Sequence, residues 1–289
     1  MTEYSEAVDS MDRNAYEHMI DGLSRSMERP DETYTGEDGL QWCAKCKAPV
    51  QVVAEVPELK IRKVVNCACK CCFAKAEAEE ERKRQEERER NRRICFTETN
   101  MDRWNFANDD HKNQKMSETM KKYVDRFAEF RKIGKGLLLF GDVGTGKTYY
   151  AACIANALID KDYKVLMTNF AELAYQIEGK FNAKQEFIDS LNRYDLLVVD
   201  DLGVERDSAS GYMQEMVYII LDSRYRAGLP FIVTTNLSAE QLKNPADIRY
   251  KRIYDRIIER CIPLEVKGES RRRQAMRDTH AEMMAMLGL

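Results

Sequence analysis

No apolar run in this sequence approaches the ~20 residues that a membrane-spanning helix needs, so neither a span nor a membrane partner is expected. The opening residues MTEYSEAVDSMDR hold neither a basic stretch nor an apolar one, so no secretory signal is expected and the chain is expected to be cytoplasmic. A charge excess of one sign is also missing. The 46 basic residues face 49 acidic ones, net −3, which excludes a globally basic nucleic-acid coat. Glycine and proline number 14 and 6, too few for long low-complexity tracts. The three histidines, His18, His111 and His280, have no metal-ligand spacing and receive no role. There is no internal repeat.

Apolar residues make up 44% of the 289, enough for a real core in a chain long for one domain and short for three. Charged residues reach 33%, and the excess is localised. Residues 1–42 carry eleven acidic and three basic groups. Within them Tyr16, Met19, Ile20, Leu23 and Met27 recur three and four apart, the spacing of an amphipathic helix, until PDETYTGEDG breaks it. Residues 75–93, KAEAEEERKRQEERERNRR, carry eight basic and seven acidic groups and no aliphatic larger than Ala. That composition predicts a solvated helix laced by ion pairs. From residue 96 the texture changes. GLLLFG, KVLMTNF, LLVVDD and LPFIVTTN alternate with amphipathic helical stretches, which predicts an α/β fold with a parallel sheet covered on both faces. The expected organisation is an N-terminal helix and cysteine module over 1–74, a charged helical linker over 75–95 and an α/β domain over 96–289.

Gly141, Asp142, Val143, Gly144, Thr145, Gly146, Lys147 and Thr148 match G-x-x-x-x-G-K-[ST] in full. The motif follows the strand candidate Gly136–Phe140 and precedes the helical run YYAACIANALI, the context it requires. Its glycines let backbone N–H groups turn inward around phosphates, and the helix that follows adds its positive end. This predicts ATP as ligand, with Lys147 on the β- and γ-phosphates and the Thr148 hydroxyl on Mg²⁺. Downstream, Leu196, Leu197, Val198 and Val199 run into Asp200 and Asp201, at the strand end where open α/β sheets bind ligands. Asp200 is expected to hold Mg²⁺, mostly through water, and Asp201 to polarise the attacking water. A further strand, Phe231–Thr235, ends in Asn236, either a contact for the γ-phosphate and water or a plain turn residue.

Six of the nine cysteines fall within 43–72. In a reducing compartment such a cluster favours a metal over disulfides. Cys43 and Cys46 supply one pair of thiolates for a tetrahedral Zn²⁺ site, and Cys67-Ala-Cys69-Lys-Cys71-Cys72 supplies the second. Cys67 with Cys69, Cys67 with Cys71 and Cys69 with Cys72 all have workable spacing; Cys67 with Cys69 is the expected pair. The intervening VQVVAEVPELKIRKVV reads as a β-hairpin, as in a zinc ribbon. Cys95, Cys153 and Cys261 stand alone and are expected to be buried as small hydrophobes.

Taken together, the phosphate loop, LLVVDDLG, TTNL, RIYDRIIER and GESRRR resemble the AAA+ ATPases of the DnaC/DnaI helicase-loader and IstB group, over about residues 96–275. The resemblance implies a five-stranded parallel sheet in the order 5-1-4-3-2 and a homo-oligomer with ATP held between subunits. It puts Asn236 at the sensor-1 position, Arg256 at the arginine finger that reaches a neighbour's γ-phosphate, and Arg272 at sensor 2, which contacts ATP in its own subunit. The bare sequence reads these arginines as a solvated surface, since nine basic residues fall within 251–277. The chain departs from the broad AAA+ pattern in carrying Asp201 where Glu is usual. Loaders of this group also contact single-stranded DNA through an extra helical segment, here about residues 171–192, which matches Lys180 and Phe181 to that role; Ser210 and Tyr212 match a second pair. The bland alternative is that Phe181 and Tyr212 pack in a core. Trp104-Asn-Phe106 falls near the adenine in the family, or else is a hydrophobic anchor. An N-terminal zinc module that binds a DnaB-type replicative helicase completes the likeness to loaders. An IstB-like transposition helper is the alternative, and such chains usually lack the cysteine module. A partner-binding adaptor with a degenerate nucleotide site is a third reading, against which the intact Lys147, Thr148, Asp200 and Asp201 speak.

Overall fold

The computed structural model describes residues 13–27, 29–96, 100–110, 112–178, 184–203, 212–245 and 247–287. Contacts divide the chain between Gln85 and Glu86. In the first unit, α1 (Arg13–Ser26) is followed by two antiparallel pairs: β1 (Thr33–Thr35) with β2 (Gln41–Cys43), and β3 (Gln51–Val56) with β4 (Ile61–Asn66). The second pair is the hairpin read from the sequence. Its turn is a 3₁₀ segment, Pro57–Leu59, closed by Lys60 at φ 53°, in the left-handed region. The backbone N–H of Asn66 donates to Ser24 Oγ at 2.8 Å, and Lys63 pairs with Asp21 at 2.5 Å, so α1 is tied to β4. Met19, Leu23 and Met27 remain exposed, so the apolar stripe of α1 is only partly covered.

The helix α2 (Lys70–Cys95) starts earlier than the charged tract predicts and takes in Cys71 and Cys72. Glu79–Arg82 and Glu80–Arg84 pairs lace its exposed middle. Its last turns are not merely solvated. Arg88 pairs with Asp162 at 2.7 Å, and Arg92 reaches Asn156 at 3.0 Å and Asp160 at 2.5 Å, all within the second unit.

That second unit holds α3 (Gln114–Asp125), α4 (Phe127–Lys132), β5 (Gly136–Phe140), α5 (Lys147–Asp160), β6 (Val165–Asn169), α6 (Phe170–Glu178), α7 (Lys184–Leu191), β7 (Leu196–Leu202), α8 (Tyr212–Arg226), β8 (Phe231–Thr235), α9 (Ala239–Lys243), α10 (Ile248–Arg260), β9 (Cys261–Glu265) and α11 (Arg271–Met286). Five parallel strands form a sheet in the order β6-β7-β8-β5-β9. Counted from β5 this is 5-1-4-3-2, the order the resemblance implies. Successive side chains of a strand point to opposite faces. Leu137, Leu139, Val198 and Ile232 accordingly join a core with α3 and α5. Leu138, Leu197, Val199, Phe231 and Val233 join a second core with α6, α8 and α10. Both faces are buried, which is why these strands read as unbroken apolar runs. Gly136 is dictated by packing: a Cβ there would lie 1.7 Å from the Phe231 carbonyl oxygen. Arg224 is fully buried and donates to the carbonyls of Leu191, Tyr194 and Pro230, fixing the entries to β7 and β8. Burial lowers its pKa to about 10. Cys95, Cys153 and Cys261 are buried. Among the described residues no helix is long and apolar enough to cross a membrane.

Candidate functional site

Because the sheet is parallel, the C-terminal ends of β5, β7 and β8 meet at one edge. The loop after β5 turns through Gly141, Gly144 and Gly146 at φ 137°, 86° and 102°, a region L side chains rarely adopt. Space demands glycine as well. A Cβ on Gly144 would lie 2.2 Å from Ser270 Oγ, and one on Gly146 would lie 2.8 Å from Arg271 Nη1. Thr145 Oγ1 donates to the Asp142 carbonyl at 3.0 Å. Lys147 folds back under the loop and donates to the carbonyls of Gly141 and Asp142 at 2.9 and 2.7 Å. Burial lowers its pKa, against the opposing pull of Asp201, Asp200 and Asp142. The ammonium is therefore held in place under the loop and partly desolvated, where it can meet a phosphate as a point charge. Val143 is exposed on the rim.

Across the edge, Thr148 Oγ1 donates to the Asp200 carboxylate at 3.1 and 3.0 Å. Thr234 Oγ1 donates to the same carboxylate. The register between β7 and β8 shifts between Val199 and Leu202, so the strand bulges at the two acids. Asp201 sits there at φ 55°, and its N–H donates to Thr234 Oγ1 at 3.0 Å. A non-glycine residue held in this region costs of order 1–3 kcal/mol and marks functional sites. The bulge gives the two carboxylates separate partners. Asp200 faces Thr148, while Asp201 opens into a cleft and accepts from Asn236 Nδ2 at 3.4 Å.

This cleft, of ≈ 260 Å³, is lined by Trp104, Val143, Gly144, Gly146, Lys147, Thr148, Tyr149, Asp201, Asn236, Arg271 and Arg272. Asn236 and Arg272 are thus brought to the phosphate loop from β8 and α11. A glycine-turned loop, a lysine at its floor and a Thr–Asp pair beside it fit a nucleoside triphosphate with its cation. Trp104, which the resemblance puts near the adenine, lines this cleft, while Tyr149 and Arg271 carry no role in the sequence reading. Arg271 N–H donates to the Gly144 carbonyl at 3.0 Å, and its guanidinium pairs with Asp110 at 2.9 Å. Trp104 and Tyr149 stand 5.8 Å apart, ring to ring. The Arg271 contacts join residues more than a hundred positions apart and Trp104 meets Tyr149 across 45, so no local pattern announces them.

Arg256 lies outside the cleft of its own chain. It pairs with Asp222 at 2.7 Å. Lys180, Phe181 and Ser210 lie outside the described residues, and Tyr212 is the first residue of α8.

In the first unit, the Sγ atoms of Cys43, Cys46, Cys69 and Cys71 lie within 4.8 Å of one another. Sulfurs about 3.8 Å apart surround a tetrahedral Zn²⁺ with Zn–S near 2.3 Å, so this donor set and spacing fit zinc. Cys71 stands where the sequence pattern put Cys67. The N–H of Cys67 donates to the Val50 carbonyl and its thiol to the Pro49 carbonyl, 3.4 Å away, which turns it off the cluster. Cys72 is buried 3.7 Å from Cys69. A hydrogen bond from the Ala48 N–H leads in lowering Cys46 to about 6, and the hydrogen bond with Cys46 leads in raising Cys71 to about 12.

The family described as IstB-like ATP binding protein matches residues 69–279. The replicative helicase loader DnaI of Bacillus subtilis is 28% identical over 150 residues, covering 48% of this chain and 48% of that one. A putative insertion sequence ATP-binding protein of Sinorhizobium fredii is 30% identical over 149 residues, covering 50% and 49%. The crystal structure of the DnaC helicase loader superposes with a TM-score of 0.51 at 25% identity, covering 59% of this chain and 100% of that one. The chain spans about half the length of the two relatives matched by sequence.

Proposed function

The chain belongs to the IstB-like ATP-binding protein family, and from that premise we propose that it is an ATP-dependent loader of a DnaB-type replicative helicase onto single-stranded DNA, working in the cytoplasm. Lys147 and the loop N–H groups bind the β- and γ-phosphates. Thr148 and Asp200 hold Mg²⁺, which when bound offsets phosphate charge. Asp201 orients and polarises the attacking water, Asn236 steadies Asp201 and the γ-phosphate, and Arg272 contacts the nucleotide from α11. Residues 1–74 grip the helicase through a zinc module, residues 75–95 connect, and residues 96–289 hydrolyse ATP.

The observation that carries the loader reading is the four-thiol cluster in the N-terminal unit. The ATPase part is similar both to a helicase loader and to an insertion sequence protein, so it cannot by itself separate them. A transposition helper is the second reading, favoured by the family description and by the Sinorhizobium relative. Coupling of ATP turnover to a transposase, with no response to a helicase, would select it.

Arg256 acts in trans in this proposal. Arg256→Ala should bind ATP normally and hydrolyse it poorly. Mixing it with Lys147→Ala protein should restore activity, because one interface then has both halves intact. Absence of rescue at every mixing ratio would count against a shared site.

DNA contact is proposed through Lys180, Phe181, Ser210 and Tyr212. A chain of net charge −3 has little to neutralise duplex phosphates with. Stacking of bases on aromatic rings contributes ~1–3 kcal/mol per base, so binding should be to single strands and should need several subunits joined by ATP. Fluorescence anisotropy with a labelled oligonucleotide should show tighter binding with a non-hydrolysable ATP analogue, lost in Phe181→Ala. Equal affinity with and without nucleotide would overturn this part of the proposal.

A further inference from the structure

The geometry points to Asp222 as a positioning residue for Arg256: with Tyr218 it presets the guanidinium that a neighbouring subunit's nucleotide meets. This rests on the proposed role of Arg256 in trans and deepens it. Arg256 lies on α10, and Asp222 and Tyr218 lie one turn apart on α8. Asp222 Oδ1 accepts from Arg256 Nε at 2.8 Å and stands 2.7 Å from Nη2. Nη2 also donates to the Tyr218 hydroxyl at 2.8 Å, and the guanidinium carbon lies 4.5 Å from the centre of the Tyr218 ring.

These contacts fall on one edge of the group. A guanidinium has five N–H donors in a fixed fork, and among the described residues the hydrogen bond that Nη1 makes is a 3.4 Å contact to the Arg252 carbonyl. The Nη1 edge is therefore the one left to receive a phosphate oxygen from another copy of the chain. The other oxygen of the carboxylate pairs with Arg226 at 2.9 Å. Ordinary exposed ion pairs contribute little because both partners are solvated and mobile. Here the Arg256 and Asp222 side chains are only 26% and 14% exposed, and a ring stacks on the cation. An arginine held this way loses less freedom when it engages a phosphate than one free in solvent.

ATP turnover by the full chain, at concentrations where it self-associates, tests the proposal. Asp222→Ala should lower kcat about tenfold, equivalent to about 1.4 kcal/mol of lost transition-state stabilisation, with KM for ATP unchanged. Tyr218→Phe, which keeps the ring, should lower it less, and Asp222→Glu should recover most of the loss. Mixing Asp222→Ala with Lys147→Ala protein should restore turnover, because the second protein lends an intact Arg256; a merely misfolded variant would not be rescued. Normal kcat in Asp222→Ala while Arg256→Ala is impaired would overturn the positioning role and leave the finger intact. A loss in Asp222→Ala that mixing does not rescue would also overturn it. Normal kcat in Arg256→Ala would bring down the finger reading, and the role of Asp222 with it.

Discussion

Lys147→Ala is expected to weaken nucleotide binding by about a hundredfold or more. The ammonium is nearly buried and held by two loop carbonyls, so it is in place before the nucleotide arrives. Removing one partner of a buried, charge-assisted pair costs about 3 kcal/mol or more, a loss of roughly a hundredfold in affinity. Equilibrium binding of a fluorescent ATP analogue measures it. Asp201→Asn should behave differently. It leaves the loop untouched and changes only the carboxylate that faces the cleft, so ATP should bind as in the parent while turnover falls. Normal turnover in Asp201→Asn would show that the water is oriented by another group.

The second large effect is at the cysteines. Metal analysis of freshly purified protein should find about one Zn²⁺ per chain, since a four-thiolate site holds one ion. Structural zinc contributes about 10–16 kcal/mol to the fold that encloses it, so Cys43→Ser with Cys46→Ser should unfold the module. The second unit has its own two cores and should stay folded. Helicase binding should be lost and basal ATPase activity kept. Single variants separate the two possible ligand sets. Cys71→Ser should lose the metal, and Cys67→Ser should keep it, because Cys67 is turned toward the Pro49 carbonyl. The reverse result would restore the set expected from sequence spacing. Retained helicase binding in the zinc-free double variant would remove the module from the proposed function.

The difference between Cys67 and Cys71 shows where sequence reading stops. Spacing alone allows several pairs, and the choice is made by the junction between β4 and α2. The N–H of Cys67 bonds to Val50, just past the end of the ladder, while Cys71 rides the first turn of a helix that starts at Lys70. The sheet was more legible. β5, β6, β7 and β8 are buried on both faces, so each leaves an apolar run in the sequence. β9 leaves none. Its residues Cys-Ile-Pro-Leu-Glu pair only with β5, and a proline is tolerated because this is an edge. The phosphate loop was legible because a local conformation demands its glycines and lysine in order. The bulge at Asp201 and the walls of Trp104, Tyr149 and Arg271 depend on register and on packing between distant segments, which no local spacing encodes.

The claim that the chain loads a helicase is tested most directly on circular single-stranded DNA, where a ring helicase has no free end to thread. Purified DnaB-type helicase, the circle and ATP are mixed with and without this protein, and helicase retained on the DNA is measured after gel filtration. Retained helicase should rise strongly when the protein and ATP are both present, and should stay at background with the Lys147→Ala variant. Equal helicase on the DNA with and without the protein would contradict it.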